Sequence, residues 1–78
     1  MVNIELRYKT QQRVRTFAKL LASGAKVGYT LKDIEKDAYN EYLNNLKYRQ
    51  LPTTQKRRIA KELVKMDIDT VLNEIQRG

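Results

Sequence analysis

Basic side chains are the residues of this chain best suited to do chemistry. Its 78 residues include 16 Lys and Arg against 9 Asp and Glu, a formal net charge of +7. No acidic residue occurs between positions 7 and 26, where the basic ones are Arg7, Lys9, Arg13, Arg15, Lys19 and Lys26. Each Lys or Arg that reaches a phosphate releases condensed counterions, so this block is typical of a polyanion binder. We therefore expect nucleic-acid binding, with a solvated helix face as the alternative.

Residue types that carry much metal and nucleophilic chemistry are missing. The chain contains neither Cys nor His, which excludes disulfides, thiolate or imidazole metal ligands, and Cys or His nucleophiles. Its carboxylates are scattered and suggest no acid–base pair or metal cluster. We therefore expect no enzyme, no metal and no cofactor. The absence of Cys, of a signal peptide and of a membrane-length apolar run predicts a cytoplasmic protein without a membrane partner.

The first nine residues, MVNIELRYK, alternate with a period of two. Their apolar members are Val2, Ile4, Leu6 and Tyr8, and each is followed by a polar residue. This alternation is typical of a half-buried β-strand. A lone strand cannot satisfy its own backbone hydrogen-bonding groups, and no second stretch repeats the pattern. Because so small a chain often depends on oligomerisation, we expect the strand to pair across a homodimer.

Two amphipathic helices are predicted after the strand. Thr10 is the expected N-cap of the first, which ends at the glycine-containing stretch ASGAKVG. Thr30 is the expected N-cap of the second, with Asp33 at the capping-box position. This second helix is predicted to end near Tyr48.

Pro52 is predicted to mark the boundary between two segments. Residues 1–51 form the expected dimerisation and DNA-binding domain, and residues 52–78 form a C-terminal helical extension. The extension is predicted to contain two helices, the second capped by Asp67 or Asp69.

Strand pairing around a two-fold axis would produce a two-stranded ribbon. Its apolar face would rest on the helices of both chains, and Asn3, Glu5 and Arg7 would face solvent. A ribbon of this width can enter the major groove of DNA. The predicted fold class is therefore mainly α, with an N-terminal β-strand that pairs across a homodimer.

Residues 2–46 resemble the ribbon-helix-helix family of small dimeric repressors, which includes Arc, MetJ, CopG-like plasmid regulators and many antitoxins. The segment NIELRY is similar to the Arc ribbon. The segment TLKDIEKDAYNEYL is similar to the family's second helix, often written Ser-x-Ser-Glu-Leu-Ile-x-x-Ala-Leu-x-x-Tyr-Leu. The resemblance implies a sequence-specific double-stranded DNA-binding transcriptional repressor, or a plasmid or phage regulator.

The resemblance also implies residue roles. Asn3, Glu5 and Arg7 would read bases, with Arg7 facing guanine and Asn3 facing adenine. Phosphate contacts are expected from Lys9, Arg13 and Lys26 and from the backbone amides of Gly28, Tyr29 and Thr30. The expected dimer core consists of Ile4, Leu6, Phe17, Leu21, Ile34, Ala38 and Tyr42.

Alternative interpretations remain open. The polar residues of the strand could be the solvated face of a frayed terminus. The chain could be a helical adaptor, an inhibitor or an antitoxin whose C-terminal helices bind a protein partner. The basic run Lys56–Arg58 could add phosphate contacts, and Tyr48 could stack on a base. The extension is also similar to a helix-turn-helix string, although packing is the favoured role for the matching residues Ile59, Ala60, Leu63, Thr70 and Val71.

Overall fold

The computed structural model describes residues 2–77, and they form three α-helices that pack against one another. α1 spans Ile4–Ala22, α2 spans Leu31–Leu46 and α3 spans Thr53–Arg77. Residues 2–77 contain no β-strand. The helical character predicted from the sequence is confirmed, whereas the N-terminal strand and its ribbon across a homodimer are wrong.

The N-terminal alternation fits a helix because alternate members of a period-two series lie four residues apart. Leu6 lies on α1 and Val2 lies just before its N-cap, and both pack against the core. The helix face of Leu6 continues through Thr10 and Val14, which are buried. Ile4 and Tyr8 lie on the other side of the helix. Ile4 is 80% exposed and Tyr8 is 59% exposed. Burial of every fourth residue therefore turned a strand-like pattern into the first turns of α1.

The start of α1 also lies earlier than predicted. The Asn3 side chain accepts a hydrogen bond from the backbone N–H of Glu5 at 2.9 Å, which makes Asn3 the N-cap. Thr10, the predicted cap, is buried in the helix, where its hydroxyl donates to the Leu6 carbonyl at 3.2 Å. At the other end, Gly24 adopts a left-handed φ of +77°, as expected from the predicted stop.

The start of α2 confirms its prediction. Thr30 accepts a hydrogen bond from the backbone N–H of Asp33, and the Asp33 carboxylate accepts one from the backbone N–H of Thr30 at 2.8 Å. This is the expected capping box. The buried residues of α2 then recur at every fourth position, and they are Ile34, Ala38, Tyr42 and Leu46.

Replacing Thr30 with alanine is expected to lower the free energy of unfolding by about 1 kcal/mol, because the cap hydrogen bond is lost. Urea denaturation of the full chain measures this change. Thr54→Ala is the matched control, since Thr54 is exposed near the start of α3 and surface substitutions usually change stability by less than about 0.5 kcal/mol. Equal effects of the two substitutions would contradict the role of Thr30.

The C-terminal part of the chain is one helix and not the predicted pair. α3 runs through the expected break, and Asp67 lies inside it as a fully buried residue. Its buried neighbours have helical spacing, and they are Ala60, Val64, Ile68 and Val71. α3 packs against both α1 and α2, so all three helices share one core. Met1 and Gly78, the outer ends of the two predicted segments, lie outside the described residues. Within residues 2–77, no helix has the length and apolarity needed to cross a membrane.

Candidate nucleic-acid interface

Four basic residues of α1 bind carboxylates of the other two helices. Arg13 Nη1 lies 3.0 Å from Glu41 Oε1 of α2, and Lys9 Nζ lies 4.0 Å from the other oxygen of Glu41. Arg15 forms two hydrogen bonds to Glu74 of α3, at 2.8 and 2.9 Å. The Arg15 hydrogen bonds lower the pKa of the exposed Glu74 carboxyl. Much of the positive block at the start of the chain is therefore neutralised within the fold.

Arg7 takes part in a buried polar network that joins all three helices. Its Nε and Nη2 atoms donate to Asp67 Oδ1 at 3.2 and 2.9 Å. Gln11 Nε2 donates to the same oxygen at 3.0 Å, and the Tyr42 hydroxyl donates to Asp67 Oδ2. The Asp67 side chain is 0% exposed. A buried carboxylate is tolerated when it is paired and its lone pairs are satisfied, and these four hydrogen bonds meet that requirement.

This network, which we call the Asp67 network, links the three helices through hydrogen bonds to one buried carboxylate. Burial raises the pKa of Tyr42 above its ordinary value, and the hydrogen bond to Asp67 raises it further. The hydroxyl therefore stays protonated and remains a donor. Three cavities of about 570, 310 and 270 Å³ are lined by neither Asp67 nor Tyr42.

The three predicted base-reading residues do not lie on one face of a β-ribbon. Asn3 uses its side chain to cap α1, and Glu5 lies exposed in the first turn of the same helix. Arg7 binds Asp67 between the helices. With no ribbon in residues 2–77, these side chains are not presented together to a groove of DNA.

The predicted phosphate site at the start of α2 already holds a carboxylate. Asp33 Oδ2 accepts hydrogen bonds from the backbone N–H of Thr30 and, at 3.3 Å, from its hydroxyl. Tyr29 packs its ring against Phe17, with 5.6 Å between ring centroids. Gly28 and Lys26 are exposed in the preceding loop. Asp33 therefore supplies the negative charge that a helix N-terminus favours.

The residues predicted to form a dimer core differ in their burial within one chain. Ile34, Ala38 and Tyr42 are buried in the core of one chain. Leu6 and Phe17 are partly buried against it, whereas Ile4 and Leu21 are exposed.

A second basic segment surrounds the turn between α2 and α3. Residues 42–61 contain six Lys or Arg and no Asp or Glu. The turn and the first two turns of α3 carry five of them. We call this surface the basic tip, and it consists of Lys47, Tyr48, Arg49, Lys56, Arg57 and Arg58.

Short-range contacts organise the basic tip. Lys56 Nζ donates to the Lys47 carbonyl at 3.0 Å, which joins the start of α3 to the end of α2. The Lys47 ammonium lies 4.9 Å from the ring centroid of Tyr48, and Tyr48 is 84% exposed. Arg57 and Arg58 are exposed on α3, whose first turn contains no acidic residue. The positive end of the α3 dipole therefore adds to the side-chain charges here.

The sequence predicts only part of the basic tip. Lys56–Arg58 and Tyr48 are separate candidates for nucleic-acid contacts, whereas no local pattern singles out Lys47 or Arg49. The signal that could have joined them is the acid-free run of residues 42–61. The Asp67 network was not predicted either. The position of Asp67 among the apolar residues of α3 could have indicated a buried carboxylate with a partner.

Two further expectations concern the C-terminal helix and metal binding. The five residues of the helix-turn-helix string lie on the continuous α3, so no turn separates them.

Among residues 2–77, no cluster of three or more His, Cys, Asp or Glu is placed to hold a metal ion.

Comparisons with known proteins give no relative from which a role could be taken. No protein-family model, no curated protein and no solved structure matches the chain.

Proposed function

We propose that this chain is a small DNA-binding protein that contacts the phosphate backbone of duplex DNA through the basic tip. The observation that carries the proposal is the run of residues 42–61, which contains six Lys or Arg and no Asp or Glu and spans the turn between α2 and α3. Lys and Arg side chains that reach phosphates release counterions, and this term dominates non-specific binding to DNA.

The mode of binding differs from the one implied by the resemblance. Phosphate contacts position a protein on the duplex but carry no sequence information. The basic tip therefore supports binding to duplexes of any sequence, with a dissociation constant of about 10⁻⁴ to 10⁻⁶ M at physiological salt. Transcriptional repression, a homodimer and a cytoplasmic location remain predictions that were made from the sequence.

The test is binding of the full chain to labelled duplexes of about 20 base pairs at several salt concentrations, measured by fluorescence anisotropy. Arg57→Ala/Arg58→Ala is expected to weaken binding roughly tenfold and to reduce the salt slope by about 2, because two phosphate contacts are lost. Two unrelated duplex sequences should bind equally well, since no base is read. A strong preference for one of them would support sequence-specific regulation instead.

A charge-matched control separates the basic tip from the general effect of net charge. Lys19→Ala/Lys26→Ala also removes two exposed positive charges, but at residues outside the basic tip. We expect this control to leave the salt slope unchanged. Equal losses in both double variants, or no binding of the wild-type chain at low salt, would overturn the proposal.

A further inference from the structure

A groove between α2 and α3 is a second accessible feature, and the basic tip does not include it. Its volume is about 570 Å³. One wall is formed by α2 and the other by the middle of α3. Its lining includes Lys32, Lys36, Tyr39, Lys61, Val64, Lys65 and Ile68.

The floor of this groove is apolar. Val64 and Ile68 of α3 belong to the core and retain 6% and 7% exposure. Tyr39 of α2 is half-buried and packs against the same core. A ligand that lies in the groove would therefore meet apolar surface at its centre.

The rims of the groove carry lysines in two rows. Lys32 and Lys36 are one turn apart on α2, and Lys61 and Lys65 are one turn apart on α3. Like charges at this spacing repel each other. Within residues 2–77, none of these four lysines forms an ion pair.

Two carboxylates also line the groove, and they reduce its charge without neutralising it. Glu35 lies on α2 and Asp69 on α3. With four lysines and two carboxylates, the lining carries a formal charge of 4 − 2 = +2. An occupant with several negative charges beside an apolar stripe would complement both the rims and the floor.

We propose that this groove binds an acidic amphipathic helix of a partner protein. Such a helix places apolar residues at i, i+3, i+4 and i+7 on one face, and these would cover the floor. Carboxylates beside that stripe would face the lysine rows on both rims. The walls between Lys32 and Tyr39 extend for about 10 Å along α2, which corresponds to two turns of a bound helix.

Two other occupants complement the groove less well. A phosphate backbone would meet the lysines but offers no apolar surface for the floor. A second copy of the chain carries the same net charge of +7, so long-range repulsion opposes the association of two copies. The acidic helix is the occupant that matches both features.

The probe is a synthetic helical peptide of about 14 residues, with leucines at i, i+3, i+4 and i+7 and glutamates beside them. Two control peptides test the two features separately: a scrambled peptide of the same composition, and a peptide in which glutamine replaces glutamate. Binding to the full chain is measured by fluorescence anisotropy, and the site by amide chemical-shift changes. We expect only the acidic amphipathic peptide to bind, with shifts at Lys36, Tyr39, Val64 and Ile68.

Variants of the chain distinguish this proposal from DNA binding at the basic tip. Lys36→Ala/Lys65→Ala is expected to weaken peptide binding roughly tenfold, because two rim charges are lost. Arg57→Ala/Arg58→Ala removes the same charge from the basic tip and should leave peptide affinity within about twofold. Far-UV circular dichroism and thermal unfolding of each variant confirm that its fold is retained.

Several outcomes would overturn the groove proposal. They are equal binding of the scrambled peptide, an unchanged affinity of Lys36→Ala/Lys65→Ala, and shifts confined to residues outside the groove. Duplex DNA that shifts the groove residues and displaces the peptide would assign the groove to nucleic acid. Groove shifts that depend on protein concentration without peptide would assign it to a second copy. None of these results depends on whether the basic tip binds DNA.

Discussion

Replacing Asp67 with alanine is expected to lower the free energy of unfolding by about 3–5 kcal/mol, because it leaves a guanidinium and a hydroxyl without their buried acceptor. Arg7, Gln11 and Tyr42 all donate to this carboxylate. A domain of this size is stabilised by only about 5–15 kcal/mol in total. We therefore expect a large fall in the urea midpoint, or a chain that no longer folds at room temperature.

Two further variants keep this prediction informative if Asp67→Ala does not fold. Asp69→Ala removes an exposed carboxylate two residues away, and we expect a change of less than about 0.5 kcal/mol. The triple variant Arg7→Met/Tyr42→Phe/Asp67→Leu replaces the charges and hydroxyl with apolar groups. It should be more stable than Asp67→Ala, because fewer buried polar groups then lack a partner. Similar stabilities for Asp67→Ala and Asp69→Ala would show that the Asp67 network does not stabilise the helices.

Tyr42→Phe is expected to lower the free energy of unfolding by about 1.5–3 kcal/mol at neutral pH, since it removes one hydrogen bond to a charged acceptor. The fully buried ring is kept, so the loss reports on the hydroxyl. Tyr48→Phe is the matched control, because the Tyr48 ring is 84% exposed. A loss as large in Tyr48→Phe would contradict a specific role for the buried hydroxyl.

Stability at alkaline pH tests the same hydroxyl in a second way. Burial, and then the hydrogen bond to Asp67, raise the pKa of Tyr42 above its ordinary value of 10.0. Well below pH 10 this tyrosine is protonated in both the folded and the unfolded chain. As the pH rises further, the unfolded chain releases the Tyr42 proton first, so the stabilisation from Tyr42 declines. Tyr42→Phe should lack this component, and the free energy of unfolding measured by urea between about pH 8 and pH 11 would reveal it.

Local patterns in the sequence were sufficient to predict the start and the buried face of α2. The capping box of Thr30 and Asp33 depends on residues three apart, and it forms as predicted. The apolar stripe of α2 has the same spacing as its buried residues. Such features could be predicted because their partners are neighbours in the chain.

The N-terminus shows where local signals were ambiguous. Apolar residues at positions 2, 4, 6 and 8 fit a strand, but Val2 and Leu6 alone also fit one face of a helix. The helix is favoured because it buries Leu6, Thr10 and Val14 against the other helices. The predicted helix break before Asp67 was wrong for a similar reason. Asp67 is of a residue type typical of helix N-caps, but here it lies inside α3 and binds Arg7, which is 60 residues away in the chain.

Composition and residues a few positions apart were sufficient to predict the excess of positive charge, the helical character and the N-cap of α2. Packing between the helices determines which basic side chains form ion pairs within the chain. Arg7, Arg13 and Arg15 meet carboxylates 28 to 60 residues away, and no local pattern encodes such pairs. The basic tip and the α2–α3 groove are the surfaces that we propose for a polyanion and for an acidic partner.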